Sequence, residues 1–521
     1  MNPHRVVVVG YGMAAARFAE QVRARDPHGD RISLTVLGAE RRPAYNRILL
    51  SNAISGRLPL DTVLLHRPGW GQQHAVDVRT GVSVLRIDRA GRQVLLDEHS
   101  VLEFDTLVLA IGSQPFLPPV DGLRAPDGSL ARGVRTFRTL DDCQRIIESA
   151  ASGTPVAVLG GGLLGLETAR GLASRGNRVT VVHAVNRLMD RQLDQPAGAM
   201  LAEVLSDHGL TLRLDQLAVR YRPGVGLELA DGELVPAGLV VVTTGVRSRT
   251  GLARRAGLAV RHGIIVDDEL RTSDPNIRAI GDCAEHNGVT TGLVDPAWAQ
   301  AEVLADLITD AGPTARYRDT PTVTRLKARD VELVALGDTQ VAVDASDAEV
   351  LCLHDPSGGR YGKLVVRDDR VAGAILIGLP DAGATISQFY DRSLPVPADR
   401  LALLLGRVLP ELPSRADPGG LPDDEVVCRC NTVTKRQLVD AWRGHDPSLS
   451  GLVTATRATT GCNGCRSAVH RIAEWLSGGP VAGPVAPATR EGQERSDPVP
   501  TPMPNPTPNP MSTAILHPVA D

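Results

Sequence analysis

HRVVVVGYGMAAARFAEQVRAR, residues 4–25, decides the architecture. Val6 to Val9 is an unbroken β-branched run, so a strand built from it has to be buried on both faces, as strands of a parallel sheet are. Gly10-Tyr-Gly12-Met-Ala-Ala15 follows as a turn, and an alanine-rich stretch of good helix formers follows the turn. Unit for unit, the pattern returns at PVAVLGGGLLGLETARGLASRG, residues 155–176, where Gly160-Gly-Gly162-Leu-Leu-Gly165 occupies the turn. Each unit runs on to a second apolar strand, SLTVLGAE at 33–40 and RVTVVH at 178–183. Buried strands alternating with helices predict an α/β protein, and the two glycine turns make its two repeated units Rossmann-like dinucleotide-binding domains.

The first turn has a physical task. Gly10 permits the tight turn, Gly12 lets a pyrophosphate approach the backbone, and Ala15 keeps the helix close to the strand. The helix N-terminus then offers its N–H groups to phosphate. Glu40 ends the second strand, where a carboxylate accepts hydrogen bonds from ribose hydroxyls. In the second unit, Gly160, Gly162 and Gly165 complete the fingerprint, but His183 stands where the acid would be and Arg187 follows it. Two readings stand. Arg187 pairs with a 2′-phosphate that His183 does not repel, or both are ordinary surface residues. NADH and NADPH are therefore both open as the nucleotide.

Further out, DTLVLAIGSQP (105–115) ends a strand in Ala110-Ile-Gly112, and TSDPNIRAIGDCAE (272–285) ends one in Gly281-Asp282. Asp282 reads either as a ribityl acceptor or as a helix N-cap. With these motifs, residues 5 to about 310 resemble the two-dinucleotide flavoprotein reductases, the group that includes glutathione reductase, ferredoxin reductases and the flavin parts of nitrite reductases. The resemblance implies that the first fold holds FAD and that the second, inserted fold holds NAD(P)H. It also implies that RRPAYNRILLS (41–51) lies beside the isoalloxazine, with Arg42, Pro43, Tyr45 and Arg47 as neighbours, and that Glu167 lies near the nicotinamide. An ordinary helix carboxylate is the alternative for Glu167. Hydride transfer needs no side-chain nucleophile, so no conventional catalytic residue is assigned.

No cysteine precedes Cys143, so a redox thiol beside the first glycine turn is excluded and electrons need another exit. Cys428-x-Cys430, thirty-one residues, then Cys462-x-x-Cys465 supplies a candidate: four thiolates able to hold an iron–sulfur cluster or a structural zinc. VCRCNTVTKRQLVDAW and TRATTGCNGCRSAVHRIAEWL resemble the bacterioferritin-associated ferredoxin type of [2Fe–2S] domain. Thr434 or a neighbour caps the helix expected from Lys435, and Gly461 and Gly464 leave room around the cluster. Cys143, Cys283 and Cys352 stand apart and read as structural.

The combination resembles the electron-transfer subunits of bacterial assimilatory nitrate reductases and the N-terminal portion of NAD(P)H nitrite reductase large subunits. VTRLKARDVELVALGD (323–338) is similar to a segment of those proteins. The implied division is an FAD domain at 1–120 and 246–315, an NAD(P) domain at 121–245, a small α+β domain at 317–410, a linker at 411–424, a [2Fe–2S] domain at 425–477 and a disordered Pro-rich tail at 478–521. The implied partner is a separate nitrate or nitrite reductase catalytic subunit. Two rivals are a reductase serving another oxidase or oxygenase, and an iron–sulfur sensor or assembly module with a vestigial flavin part. A net charge of −4 without runs of one sign points away from nucleic acid, and neither a secretory leader nor an apolar span is read, so the expectation is a cytoplasmic protein without membrane contact.

Overall fold

A computed structural model describes residues 2–320, 322–328, 330–407, 418–428, 431, 433–444, 446–460 and 465–478. The expected ligands Cys430 and Cys462, Gly461 and Gly464, the first half of the linker, and the tail beyond Gly478 lie outside the described residues.

The first glycine unit sits at the centre of a five-stranded sheet. Its order is Ile277–Ala279, Thr106–Leu109, His4–Val9, Ile32–Gly38, Val76–Thr80, with every pairing parallel. Val6 and Val8 are fully buried, and Phe18, Ala19 and Val22 of the helix Met13–Arg25 pack against the same core. The second unit centres a matching sheet in the order Thr211–Arg213, Arg178–Val182, Pro155–Leu159, Leu239–Val242, Val134–Thr136, again all parallel. The α/β, doubly Rossmann-like architecture expected of the sequence is the one observed. The two layers are joined by a short antiparallel pair, Ser113–Pro115 with Val246–Ser248. Arg247 lies over the Phe116 ring at 4.1 Å and braces that joint.

A third sheet is antiparallel throughout, in the order Val323–Leu326, Leu333–Gly337, Arg370–Ile377, Arg360–Arg367, Glu349–Asp355. The helices Pro380–Asp391 and Arg400–Leu404 pack on one face through Ile386, Phe389, Leu403 and Leu404. Its other face is not independent. Leu326, Leu333, Ile375 and Ile377 share one core with Leu166, Leu188 and Leu201 of the second fold and with Tyr45, Leu49 and Ile54 of the 41–54 segment. That segment is therefore held between two layers.

The described residues between Val426 and Leu476 form a small unit: strands Val426–Cys428 and Val433–Thr434, then helices Lys435–Gly444, Leu449–Thr456 and Arg466–Leu476. Thr434 caps the first helix as expected; its hydroxyl accepts from the Gln437 N–H at 3.3 Å, while Gln437 Oε1 accepts from the Thr434 N–H at 2.9 Å. Leu438, Leu452, Val469 and Ile472 make its core, and Ile48 of the first fold packs against them. Among the described residues, no helix is long and apolar enough to cross a membrane. Cys143 and Cys283 are buried thiols, whereas Cys352 is exposed on its strand.

Candidate functional site

The glycines of the first turn divide into two kinds. Gly10 has φ +108, and a Cβ there would collide with the Ala110 carbonyl, so the fold itself requires glycine. Gly12 has φ −90 and ψ −165, which any residue adopts, and a Cβ there would meet nothing within 4 Å. Glycine at 12 thus keeps a space open rather than relieving the backbone. No side chain caps the helix that Gly12 starts. Bare N–H groups facing an open, side-chain-free space make a cradle that fits a pyrophosphate. Gly112 has φ +65 and is also open on its Cβ side.

This space belongs to a cavity of about 1320 Å³, more than the ~300–1,000 Å³ usual for small ligands. Gly10, Gly12, Glu40, Arg42, Pro43, Tyr45, Arg47, Ala110, Gly112, Gly281, Asp282 and Glu167, all singled out in the sequence, line it; Ala15 lies behind them in the core. Glu40 accepts from the Tyr45 hydroxyl at 2.7 Å and from Arg47 Nη2 at 2.5 Å. Those two donors orient the carboxylate and leave lone pairs over for a ribose. Tyr45 Oη also accepts the Leu140 N–H at 3.1 Å, and burial pushes the phenol above its ordinary range. Arg42 turns outward to Asp141 at 2.9 Å.

Asp282 does not cap an α-helix. It sits in the single turn Gly281–Cys283, where its carboxylate pairs with Arg138 and accepts from Ser113 Oγ at 2.9 Å. Arg138 escaped the sequence reading. Its only local signal is its place before Thr139, the N-cap of the helix Leu140–Ser149. Tyr11 was also missed: its hydroxyl, which burial pushes up to about 12, meets His66 Nδ1 at 2.7 Å at the cavity wall.

In the second unit, Gly160 (φ +120) would bring a Cβ to 2.7 Å from the Thr243 carbonyl, and a Cβ at Gly165 would collide with the Gly160 carbonyl. Gly162 repeats Gly12: φ −82, ψ 179, nothing within 4 Å, and a helix without a side-chain cap. These three glycines, His183 and Arg187 lie off the large cavity, which reaches the second fold at Leu163, Leu164 and Glu167. Arg187 donates to the Leu193 and Asp190 carbonyls, both at 3.2 Å, and so braces its own loop. His183 Nε2 stands 3.4 Å from Asp190 Oδ1, and burial holds the imidazole below its ordinary value, toward the neutral form.

Glu167 is no ordinary surface carboxylate. Its side chain is 2% exposed and its two oxygens accept from the Lys327 N–H and Lys327 Nζ, each at 3.1 Å. Lys327 Nζ also donates to the Ile48 carbonyl at 3.1 Å. One ammonium therefore ties together the second fold, the third sheet and the 41–54 segment.

Cys428 and Cys465 line the same cavity. Cys428 closes the strand Val426–Cys428, and Cys465 is the N-cap of the helix Arg466–Leu476. Cys465 Sγ accepts the Thr459 N–H at 3.3 Å. A sulfur that accepts a backbone N–H carries the charge of a thiolate ligand well, and the donor set is soft, so the pair fits an iron–sulfur cluster.

Residues 4–301 match the pyridine nucleotide-disulphide oxidoreductase family, 322–389 the rubredoxin NAD+ reductase C-terminal domain, and 426–475 the BFD-like [2Fe-2S] binding domain. A nitrite reductase [NAD(P)H] of Bacillus subtilis (strain 168) is 32% identical over 482 residues, covering 92% of this chain and 58% of the relative. An assimilatory nitrate reductase electron transfer subunit of the same strain is 33% identical over 485 residues, covering 92% and 60%. The chain thus spans about three-fifths of the length of these relatives. Putidaredoxin reductase, solved in covalent complex with putidaredoxin, shares the fold at a TM-score of 0.67 and 23% identity, covering 77% of this chain and 98% of that one. FAD, NAD(P)H and a [2Fe–2S] cluster are the cofactors that go with these domains. The protein belongs to the pyridine nucleotide-disulphide oxidoreductase family, extended by a [2Fe–2S] binding domain.

Proposed function

We propose that this chain oxidises NAD(P)H and passes the electrons, through FAD and the cluster held at 425–477, to a separate reductase of nitrate or nitrite. The observation that carries the proposal is that Gly12, Asp282, Glu167, Cys428 and Cys465 all line one cavity. FAD supplies the link between a two-electron donor and one-electron carriers. The chain's own residues bind and orient. Gly10, Gly12 and the following helix hold the pyrophosphate, Glu40 takes the ribose hydroxyls, and Asp282, aligned by Arg138 and Ser113, takes the ribityl chain. Arg47 and Tyr45 hold Glu40 in place. Gly160, Gly162, Gly165, His183 and Arg187 hold the nicotinamide nucleotide, whose reactive end meets the cavity at Glu167. Cys428, Cys430, Cys462 and Cys465 are the cluster ligands. The names of the two B. subtilis relatives support nitrate or nitrite reduction as the destination.

A Cys462→Ser variant tests the exit. It replaces a soft ligand by a hard one, so the cluster should be lost or crippled. NAD(P)H should still bleach the flavin, while electron delivery to the nitrate or nitrite reductase collapses. Delivery at the wild-type rate without a cluster refutes the proposal, and zinc without iron in the native protein refutes the ligand assignment. A second acceptor class is favoured by one observation, the match of 322–389 to a rubredoxin reductase domain. Turnover with a rubredoxin or ferredoxin, but not with a nitrate or nitrite reductase, would select it.

A further inference from the structure

The turn Arg457–Thr460 touches two things at once. On one side it grips the first fold. Arg457 Nη1 donates to the Thr62 carbonyl and, at 2.9 Å, to the Leu64 carbonyl. Asn52 Nδ2 donates to the Thr460 carbonyl at 2.8 Å, and Asn46 Nδ2 reaches Asn431 Oδ1 at 3.4 Å. Asn431 Nδ2 completes the set by donating to the Arg457 carbonyl at 2.6 Å. On the other side, the Thr459 N–H is the donor to Cys465 Sγ.

The turn is strained. Arg457 has φ +61 and Thr459 φ +69, a conformation unusual for non-glycine residues and most unusual for a β-branched one. Arg457 ends the helix Leu449–Thr456 at a position where glycine would sit more easily. The guanidinium is also half-buried beside Arg67, which disfavours its charge. An arginine retained against backbone strain, burial and a like charge is held there by its two carbonyl acceptors. Those acceptors sit just beyond the segment that carries Tyr45, Arg47 and Ile48, three residues that line the flavin cavity.

We propose that Arg457 is a positioning residue: it latches the cluster domain onto the Thr62 and Leu64 carbonyls and, through the turn it anchors, sets Cys465 and its N–H···S bond against the flavin cavity. This rests on the relay reading above. In that relay one NAD(P)H yields NAD(P)⁺, one proton to solvent and two electrons. The electrons leave through the cluster one at a time, each reducing one molecule of a one-electron acceptor.

The test uses the full-length holoprotein, mixed anaerobically with NAD(P)H in a stopped-flow instrument. Iron content, the electron paramagnetic resonance spectrum and amide exchange of residues 60–66 are measured alongside. In Arg457→Ala, flavin bleaching should keep its wild-type rate while cluster reduction slows about tenfold or more, because two charge-assisted hydrogen bonds holding the docked state are gone. Residues 60–66 should exchange faster and the cluster spectrum should shift. Arg457→Lys should restore part of the rate; Arg457→Gly, which relieves the strain but lacks the guanidinium, should not. Asn52→Ala weakens the latch from the flavin side without touching the cluster domain and should slow cluster reduction in the same direction, less severely; it carries the test if Arg457→Ala loses iron. Wild-type cluster reduction in Arg457→Ala with iron retained, or in Arg457→Gly, overturns the proposal, as does an unslowed Asn52→Ala. If the wild-type cluster is reduced by dithionite but never by NAD(P)H, the relay reading fails instead. Amide exchange then decides the latch alone: faster exchange in Arg457→Ala supports it, and unchanged exchange overturns it.

Discussion

Two glycines in one turn should respond to substitution in opposite ways. At Gly12 the backbone is ordinary and the Cβ direction is empty, so Gly12→Val should leave the apoprotein within about 1 kcal/mol of wild type. Valine would fill the space through which a pyrophosphate reaches the helix N–H groups. Losing two charge-assisted hydrogen bonds at about 1.5–3 kcal/mol each removes about 3–6 kcal/mol of binding, or roughly 10²–10⁴-fold in FAD affinity. At Gly10 the position is reversed. Gly10→Ala forces an alanine to φ +108 and drives its Cβ into the Ala110 carbonyl, at the contact between two central strands. Backbone strain and collision together should destabilise the apoprotein by about 3 kcal/mol. That corresponds to a fall in Tm of roughly 6–12 °C for a unit of this size. The assay is thermal unfolding of both apoproteins, with FAD titrated back by flavin fluorescence. A Gly12→Val protein that purifies with stoichiometric FAD, or that unfolds as early as Gly10→Ala, would refute the reasoning.

Glu167→Gln should destabilise the protein by about 3 kcal/mol, because Lys327 keeps a buried charge that has lost its carboxylate. The double substitution Glu167→Leu, Lys327→Met should recover part of that loss in the same melt; a single variant as stable as wild type contradicts the buried-pair account. Burial pushes the Cys143 thiol up to about 12 and the Cys283 thiol up to about 11. With folded values above the unfolded value of about 8.5, both contribute stability that is full below pH ~8.5 and is lost as pH rises toward the folded values, at about 1.4 kcal/mol per pH unit for each thiol. Urea midpoints between pH 8 and 11 measure the decline, which Cys143→Ala and Cys283→Ala should flatten. At pH 8, iodoacetamide should reach the exposed Cys352 before either buried thiol.

What the sequence determined alone was everything governed within a few residues of chain. A run such as Val6–Val9 is legible because burial on both faces demands it. Gly10 and Gly160 are legible because the tight strand-to-helix turn puts each at a positive φ, which glycine adopts freely; the Ala110 and Thr243 carbonyls that also exclude a Cβ came only with the fold. The Thr434 cap and the two-and-two spacing of the cysteines are local in the same way. Glu40 and Asp282 could be named because each closely follows a strand, but the sequence left Asp282 between an N-cap and a ligand acceptor, and only the fold aimed its carboxylate at Ser113 and Arg138. The remaining site residues depend on contacts between distant parts of the chain. Arg138 meets Asp282 across 144 residues, Lys327 meets Glu167 across 160, and Arg457 meets Leu64 across 393. Each of those cations is unremarkable among its sequence neighbours. What gives it meaning is the order of strands in two parallel sheets, the third sheet closing over Glu167, and the docking of the cluster domain on the 46–64 segment. Those arrangements follow from burying large apolar faces against one another, and no local motif encodes which charge such packing brings to which partner.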